Sequence, residues 1–285
     1  MSKLDTDLRG YLQQNHNKLT WKERIKIIYD VAEAVSRIHK EKAIHRDLHS
    51  GNILYCQCND RWFISDLGFC GPANKPLECI YGNLLYIAPE VVAGKEYTFA
   101  SDIYSIAMLM WEISSGQPPF VNYENNYNLA MDIVNGMRPK AISGIPLKYK
   151  ELMEQCWDAD PIKRPDITMI NNKIRVINKL FYQNTPDNNI SIFRKFLNNL
   201  IKTNNLDKLN NLDVISCYYA SSKLSISKIY QFDNLPEPRN ATEGNSKTLS
   251  KVFQKFHIGS RDNNQNNYKR ETIKQKVKKQ DIDGI

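Results

Sequence analysis

Three polar residues lie close together in the first quarter of the chain, and their types are those that phosphoryl transfer requires. Residues 45–52 read His-Arg-Asp-Leu-His-Ser-Gly-Asn, so Asn52 follows shortly after Asp47, and Asp66 opens the triplet Asp66-Leu67-Gly68. A carboxylate can orient and deprotonate an attacking hydroxyl, and carboxylate and amide oxygens are preferred ligands of Mg²⁺. The pattern therefore predicts a site at which a hydroxyl attacks a metal-bound phosphate.

The order of these residues and of several later motifs resembles the eukaryotic protein kinase family. The segment at 45–52 is similar to the kinase catalytic loop, and Asp66-Leu67-Gly68 stands where the family has Asp-Phe-Gly. Further motifs follow in the family's order: Ala88-Pro89-Glu90, Ser101-Asp102 before the apolar run 103–113, Cys156-Trp157, Asp160-Pro161 and Arg164-Pro165. Several motifs in one order are a far more specific signal than a single octapeptide.

The resemblance implies a role for each polar residue of the site. Asp47 would be the catalytic base, and Asn52 and Asp66 would bind the Mg²⁺ that holds the phosphates of ATP. Leu54 would form the floor beneath the adenine. His49 occupies the position at which serine/threonine kinases usually carry a lysine, so it is included among the catalytic positions. ATP and Mg²⁺ are accordingly the expected cosubstrate and cofactor, and a protein is the expected substrate.

Other motif residues are implied to support the site. This group comprises His45, Arg46, Gly68, Glu90, Asp102 and Arg164. By resemblance, Glu90 and Arg164 form a buried ion pair, and Asp102 hydrogen-bonds the backbone of the catalytic loop. Arg46 is the arginine that pairs with an activation-loop phosphate. Residues 66–90, the predicted activation segment, contain no serine or threonine, so we hypothesise that serine/threonine phosphorylation cannot switch this segment. A phosphate found only at Tyr81 would fit this hypothesis.

Kinases have a small lobe before the region that this chain resembles, with a glycine-rich loop and a strand lysine over the phosphates. The chain contains no Gly-x-Gly-x-x-Gly sequence, and its kinase-like part starts at residues 3–11. We therefore expect the large lobe alone, and we expect this polypeptide by itself to be an inefficient kinase. Two interpretations stay open: a kinase domain completed by a small lobe in a longer protein, or an inactive kinase-like scaffold or fragment.

Details of the motifs indicate the tyrosine-kinase-like group and favour serine or threonine over tyrosine as the acceptor. The segment at 82–90 is nearer to the serine/threonine pattern, whereas Cys156-Trp157 is shared by tyrosine kinases and the tyrosine-kinase-like group. His49 and Asn83 both depart from the serine/threonine pattern, in which lysine and threonine stand at these positions. Tyrosine therefore stays the less favoured alternative.

Composition separates the chain into two parts. Residues 1–181 are nearly neutral, whereas residues 182–285 carry most of the net charge of +8. A solvated segment is the more common meaning of such a charge excess, so no nucleic-acid partner is expected. The six cysteines lack zinc-like spacing, and no signal segment or 18-residue apolar run occurs. We therefore expect a cytoplasmic protein, with the nucleus as an alternative, and no membrane span; the sequence does not indicate an oligomeric state.

Apolar periodicity predicts a mainly α fold, the large lobe of a protein kinase with a short β-hairpin near the catalytic loop. One helix is predicted after the Thr20 capping box and others at 101–114, 127–135, 147–157 and 167–181, with hairpin strands at 53–55 and 62–65. The predicted kinase-like domain spans 1–181. Residues 182–235 are predicted to contain short helices, and 236–285 to be a low-complexity basic tail that is mostly disordered.

Overall fold

The computed structural model describes residues 6–72, 80–140, 142–183, 227–232 and 234–241. The helices of these ranges are α1 (Leu8–Asn15), α2 (Trp21–Lys40), α3 (Pro89–Val92), α4 (Phe99–Ser115), α5 (Tyr127–Val134), α6 (Leu147–Cys156) and α7 (Ile167–Gln183). The strands are β1 (Thr6–Asp7), β2 (Ala43–Ile44), β3 (Ile53–Cys56), β4 (Arg61–Ile64), β5 (Gly71–Pro72), β6 (Ile80–Gly82) and β7 (Lys228–Tyr230). No helix in the described ranges combines the length and the apolar character needed to cross a membrane.

Two helices supply much of the apolar core because their apolar residues occupy more than one face. In α2, Ile28 and Val35 are fully buried, and in α4 every residue from 103 to 110 is buried. Burying one such apolar side chain stabilises a fold by about 1.5–3 kcal/mol. Helix α2 packs against α7 and α4, and α4 also packs against α6. The predicted mainly α fold is confirmed, and the bounds of α4 to α7 differ from prediction by at most two residues.

The start of α2 is fixed by a capping box between Thr20 and Glu23. The N–H of Glu23 donates to Thr20 Oγ1 at 3.3 Å, and the N–H of Thr20 donates to the Glu23 carboxylate at 2.7 Å. We expect Thr20→Ala to lower the free energy of unfolding by about 1 kcal/mol, because one helix N–H loses its acceptor. Urea unfolding followed by circular dichroism measures the change. Thr20→Ser keeps the hydroxyl and serves as the control; an equal loss in both variants would contradict the capping argument.

Strands β3 and β4 form the predicted hairpin, and β1 pairs with the outer edge of β3, so the sheet order is β1-β3-β4 with antiparallel neighbours. The register places Ile53 opposite Ile64. Asp30 of α2 accepts a hydrogen bond from the backbone N–H of Trp62 at 3.2 Å, which ties β4 to the helix. The hairpin therefore has a fixed position relative to α2. Its first residue follows Asn52 and its last residue comes shortly before Asp66, so the hairpin holds these two residues near each other.

Two further sheets have two strands each. Strand β2 pairs with β5, and β6 pairs with β7, with Ile80 opposite Tyr230 and Gly82 opposite Lys228. Strand β7 belongs to residues 227–232 and 234–241, which we call the docked segment. Because β6 supplies the backbone partners of β7, a short stretch in this part of the chain becomes a strand.

The docked segment differs in conformation from what its sequence predicted. The segment falls within the range predicted to contain short helices, 182–235, and the range predicted to be mostly disordered, 236–285. Residues 228–230 form a strand, and Arg239 and Asn240 hydrogen-bond to the helical lobe. Long-range pairing explains the difference, because periodicity within the segment carries no information about β6. The remaining parts of both predictions concern residues outside the described ranges.

Candidate active site

The catalytic loop, residues 45–52, is held by Asp102 near the start of α4. The Asp102 carboxylate accepts hydrogen bonds from the backbone N–H groups of His45 and Arg46 at 2.9 and 3.0 Å, and it lies 2.9 Å from His39 Nε2. Arg46 has a φ of 73°, a left-handed conformation that is uncommon for residues other than glycine. Hydrogen bonds to a buried charge are worth about 1.5–3 kcal/mol each, enough to hold this turn. They thereby set the position of the next residue, Asp47.

Asp47 is only 4% exposed, and its carboxylate is surrounded by groups that favour its ionised form. Burial alone would raise its pKa, but the imidazole of His49, together with the hydroxyl of Ser227, outweighs burial and holds the pKa of Asp47 below its ordinary value. Ser227 Oγ donates a hydrogen bond to Asp47 Oδ1 at 2.9 Å. The loop therefore presents an ionised carboxylate that already binds a hydroxyl group.

The two histidines of the loop have different surroundings. His45 is fully buried, accepts a bond from the N–H of Asp47 through Nδ1 at 3.3 Å, and places Nε2 3.2 Å from the carbonyl oxygen of Ser65. His49 Nδ1 accepts a bond from the N–H of Gly51 at 3.1 Å, so the proton of its neutral ring is on Nε2. That nitrogen lies 3.7 Å from Asp47 Oδ2. His45 thus supports the loop, whereas His49 faces the carboxylate of Asp47.

Asn52 and Asp66 are brought close together by the hairpin between them. The N–H of Ser65 donates to the backbone carbonyl of Asn52 at 2.9 Å, so the residue before Asp66 contacts Asn52 directly. The Asn52 side chain donates through Nδ2 to the backbone carbonyl of Asp47 at 3.0 Å. Because the amide nitrogen is used in this bond, the amide oxygen is the end turned away from the loop. The predicted base and both predicted metal ligands therefore lie in one local structure.

Asp66 and its neighbours form the exposed side of the site. Asp66 has a φ of 54°, which aspartate adopts more readily than most residues, and its carboxylate accepts a long hydrogen bond from the N–H of Gly68 at 3.4 Å. Leu67 is 56% exposed, and Leu54 in β3 is half-buried. A carboxylate beside accessible apolar side chains is the mixture that small-molecule sites present.

Arg46 contacts the predicted activation segment, residues 66–90, rather than the carboxylate of Asp47. Its guanidinium donates to the backbone carbonyls of Phe69 and Pro72 at 3.3 and 3.0 Å. A Cβ atom at Gly71 would lie 2.9 Å from Arg46 Nη1, so glycine permits this close approach. Tyr81 stacks on Phe69 with ring centroids 3.6 Å apart. The pairing of Arg46 with a phosphate on Tyr81 stays a prediction.

Glu90 and Arg164 form a buried two-point ion pair. The two guanidinium nitrogens of Arg164 donate to the two carboxylate oxygens of Glu90, each at 2.7 Å. Arg164 also donates to the backbone carbonyls of Ala100 and Asp158 at 2.8 Å, and its guanidinium lies 5.3 Å from the ring centre of Tyr104. The pair connects the start of α3 with the loop before α7 and thereby fixes the end of the activation segment.

A buried polar network beneath the catalytic loop was not predicted from the sequence. Arg9 of α1 donates to Ser50 Oγ at 3.1 Å and to the hydroxyl of Tyr86 at 2.9 Å, and it lies 3.6 Å from the carboxylate of Glu112. The Ser50 hydroxyl donates to Glu112 at 2.8 Å, and Tyr86 donates to the same carboxylate. Burial raises the pKa of Tyr86. One signal was present: a lone glutamate inside the apolar run of α4 needs a buried partner.

Ser227 is a further residue of the site that the sequence did not predict. It lies 180 positions after Asp47 and touches both predicted catalytic side chains, Asp47 Oδ1 at 2.9 Å and His49 Nε2 at 3.2 Å. Its sequence neighbourhood contains several other serines, so composition does not distinguish it. The alternation of apolar residues around β7 is the one local sign that this stretch forms a strand.

Comparison with known proteins agrees with this geometry. Residues 4–174, more than half of the chain, match the family described as protein tyrosine and serine/threonine kinase. The dual specificity protein kinase zakA of Dictyostelium discoideum is 31% identical over 210 residues, which are 68% of this chain and 27% of that protein. The human dual serine/threonine and tyrosine protein kinase is 32% identical over 194 residues, 66% of this chain and 20% of that protein.

A third relative, the probable serine/threonine-protein kinase roco5 of Dictyostelium discoideum, is 30% identical over 189 residues, which are 61% of this chain and 7% of that protein. The chain thus spans about a quarter or less of the length of these relatives. The matched residues include the catalytic loop, the activation segment and the buried ion pair described above. The chain belongs to the protein tyrosine and serine/threonine kinase family.

Proposed function

We propose that this chain transfers the γ-phosphoryl group of ATP to serine or threonine hydroxyls of proteins. The observation that carries the proposal is the contact between the ionised carboxylate of Asp47 and the hydroxyl of Ser227 at 2.9 Å. A general base must lie about 2.6–3.2 Å from the hydroxyl oxygen whose proton it receives. Tyrosine is proposed as a secondary acceptor, because two of the relatives have names that include tyrosine or dual specificity.

The residues of the loop have distinct tasks in the proposed reaction. Asp47 holds the acceptor hydroxyl by its proton and receives that proton as the oxygen attacks. His49, with its proton on Nε2, lies 3.2 Å from the hydroxyl oxygen of Ser227, which occupies the acceptor position. A contact of this kind limits the rotation of the acceptor hydroxyl. Because both groups are buried, their interactions with the acceptor are screened less by water than they would be on the surface.

The donor set of the site fits the Mg²⁺ that the family implies. Asn52 offers an amide oxygen that is oriented by the bond from its nitrogen to Asp47, and Asp66 offers an exposed carboxylate. Mg²⁺ prefers oxygen ligands from one or two side chains, completed by water and phosphate. When bound, the ion neutralises charge on the phosphates during transfer. We therefore propose Asn52 and Asp66 as its protein ligands, with Leu54 beneath the adenine of ATP.

Nucleotide binding gives a first prediction for this proposal. Mg²⁺-ATP at ten times its dissociation constant should stabilise the chain by about 1.4 kcal/mol, seen as a higher melting temperature. Asp66→Asn should abolish the shift because a metal ligand loses its charge. Asp60→Asn is the matched control: Asp60 is also exposed and has a φ of 50°, but it lies in the hairpin turn. A shift that survives in Asp66→Asn, or disappears in Asp60→Asn, would contradict the assigned site.

The acceptor is tested by phosphate transfer to casein followed by phosphoamino-acid analysis. We expect phosphoserine and phosphothreonine in excess of phosphotyrosine. A chain that binds Mg²⁺-ATP but transfers no phosphate would favour the alternative function, a kinase-like scaffold, to which the departures at His49 and Asn83 also point. Excess phosphotyrosine would overturn the proposed acceptor class and leave the kinase function in place.

We further propose that the protein acts in signalling, on protein substrates, in the cytoplasm or the nucleus. The family supports protein substrates. The cysteine pattern, with no C-x-x-C pair and no regular framework, is typical of a reducing compartment. Imaging of a tagged protein in its own cells measures the location; accumulation in the secretory pathway would contradict it.

A further inference from the structure

The docked segment follows the surface on which a phosphate acceptor must lie. Ser227 is bound at Asp47, and the three residues after it continue along β6 as the antiparallel strand β7. Strand β6 passes close to the catalytic carboxylate, since a Cβ atom at Gly82 would lie 3.2 Å from Asp47 Oδ1. The segment is therefore aligned by backbone pairing at the point where its hydroxyl meets the base.

Aromatic contacts extend this alignment beyond β7. Tyr230 and Phe232 stack with ring centroids 5.5 Å apart, and Phe232 meets Tyr127 at the start of α5 edge-on at 6.3 Å. Tyr230 is half-buried, and this burial raises its pKa. Ile229, in contrast, is 70% exposed, so backbone pairing rather than its side chain holds the middle of the strand. Pairing of an added strand with a sheet edge is a common mode of peptide recognition.

Polar contacts fix the far end of the segment. The N–H of Arg239 donates to the carbonyl of Val134 at 3.0 Å, and Glu237 forms an ion pair with Lys95. Asn240 accepts from the N–H of Ala159 at 2.9 Å and donates to Asp158 at 3.0 Å.

Gly136 lies where this end of the segment meets the lobe. A Cβ atom at Gly136 would lie 2.3 Å from the backbone nitrogen of Ala241, so the segment and the lobe fit together only with glycine at this position. The docked segment therefore fits closely against the lobe both at residue 241 and at Ser227.

We propose that the docked segment is an intramolecular substrate of this kinase and that Ser227 is its phosphoacceptor. The inference rests on the proposed function, because it needs a nucleoside triphosphate as phosphoryl donor. In the step, Ser227 Oγ forms a bond to the γ-phosphorus, and the bond from that phosphorus to the β,γ-bridging oxygen breaks. The nucleoside diphosphate leaves with the electron pair, and the hydroxyl proton passes to Asp47.

The product of this step releases the segment. A phosphoserine carries close to two negative charges at neutral pH and would face the ionised carboxylate of Asp47. Like charges at this distance repel, so phosphorylation weakens the contact that aligns β7. The surface along β6 that β7 covers, which we call the groove, then becomes accessible to other proteins. Before phosphorylation, the same groove is filled by the chain itself.

Hydrogen exchange of the 285-residue chain tests whether the groove is filled. The backbone amides of β6 should be protected, and Ile229→Pro should speed their exchange by about tenfold or more, because proline cannot keep an antiparallel pairing in the middle of a strand. Ile229→Thr, at the same exposed position, should leave the exchange unchanged.

Gly136→Ala is a second, independent way to loosen the segment. The added methyl group collides with residue 241, and Gly144→Ala is its control, since Gly144 has a similar positive φ and no neighbour within 4 Å. Equal exchange of β6 in the chain, in Ile229→Pro and in Gly136→Ala would overturn the docking.

Intact-mass analysis and peptide mapping after incubation with Mg²⁺-ATP test the phosphoacceptor. We expect one phosphate on Ser227, absent in Ser227→Ala and retained as phosphothreonine in Ser227→Thr. Ser225, two positions earlier, should stay unmodified. Mixing the active chain with an Asp47→Asn chain tests whether transfer is intramolecular: Ser227 of the Asp47→Asn chain should carry less than about a tenth of the phosphate found on the active chain, since a tethered acceptor outcompetes a separate one.

Casein in the same reaction separates the two proposals. Phosphate on casein without phosphate on Ser227 would overturn the intramolecular substrate and leave the kinase function standing. Phosphate on neither acceptor would overturn both, and hydrogen exchange would then show whether the segment is a permanent occupant of the groove. Phosphate on Ser227 together with faster exchange of β6 after the reaction would support both the acceptor and its release.

Discussion

Substituting asparagine for Asp47 should slow phosphate transfer to casein by about 10²- to 10⁴-fold, the usual contribution of a general base. The amide has nearly the same shape but cannot receive the proton of the acceptor hydroxyl. The fold should be retained, because the contacts of Asp47 with Ser227 and His49 can be made by an amide oxygen. Initial rates at saturating Mg²⁺-ATP measure the effect. Asp60→Asn, an exposed change in the hairpin turn, should leave the rate unchanged.

The pH dependence of stability tests the same carboxylate without any turnover. Because the pKa of Asp47 is lowered in the folded chain, its contribution to stability is complete above the ordinary aspartate value of about 3.9 and is lost as the pH falls through the lowered value. The difference in unfolding free energy between the chain and Asp47→Asn should therefore be constant from pH 5 to 8. A difference that shrinks between pH 7 and 5 would show that Asp47 takes up a proton there, contrary to its assigned ionised state.

The second large effect is expected at the buried ion pair. Arg164→Ala should lower the free energy of unfolding by about 3–5 kcal/mol, because the carboxylate of Glu90 would stay buried without its charged partner. Two backbone carbonyls, those of Ala100 and Asp158, would also lose their donor. Urea unfolding followed by circular dichroism gives the value.

Arg175 provides a matched control for this change. It forms an ion pair with Glu33 at the same 2.7 Å distance, but the Arg175 side chain is 53% exposed. Arg175→Ala should lower stability far less than Arg164→Ala does, since water can replace the partner of an exposed ion pair. If Arg164→Ala fails to fold, Arg164→Lys keeps one charge while losing the two-point bond and should give an intermediate loss. Equal effects at Arg164 and Arg175 would contradict the role of burial.

The elements around the catalytic loop were predictable because their signals are local. The capping box at Thr20 and the apolar periodicity after it define α2 before any tertiary contact is considered. The hairpin was indicated by two apolar stretches separated by polar turn residues. The site residues Asp47, Asn52 and Asp66 were identifiable because their types and order resemble the kinase motifs, and the hairpin between Asn52 and Asp66 brings the two ends of this stretch together.

The parts that were not predicted depend on residues far apart in the chain. The network of Arg9, Ser50, Tyr86 and Glu112 joins four separate elements, and each member alone is an ordinary polar residue. The pairing of β7 with β6 joins positions separated by 146 to 150 residues, a number that follows from the register of Ile80 with Tyr230 and Gly82 with Lys228. The intrinsic strand propensity of three residues is too weak to predict such a distant pairing.

Covalent attachment of β7 changes what a substrate protein must overcome to reach β6. A covalently attached segment acts at an effective concentration on the order of millimolar, whereas a separate protein competes at its actual concentration in solution. The Michaelis constant of an added substrate would therefore depend on competition with β7 as well as on the intrinsic affinity of that substrate for the groove. Ending the chain before Ser227 removes the competing strand, so the shorter chain should show the lower Michaelis constant.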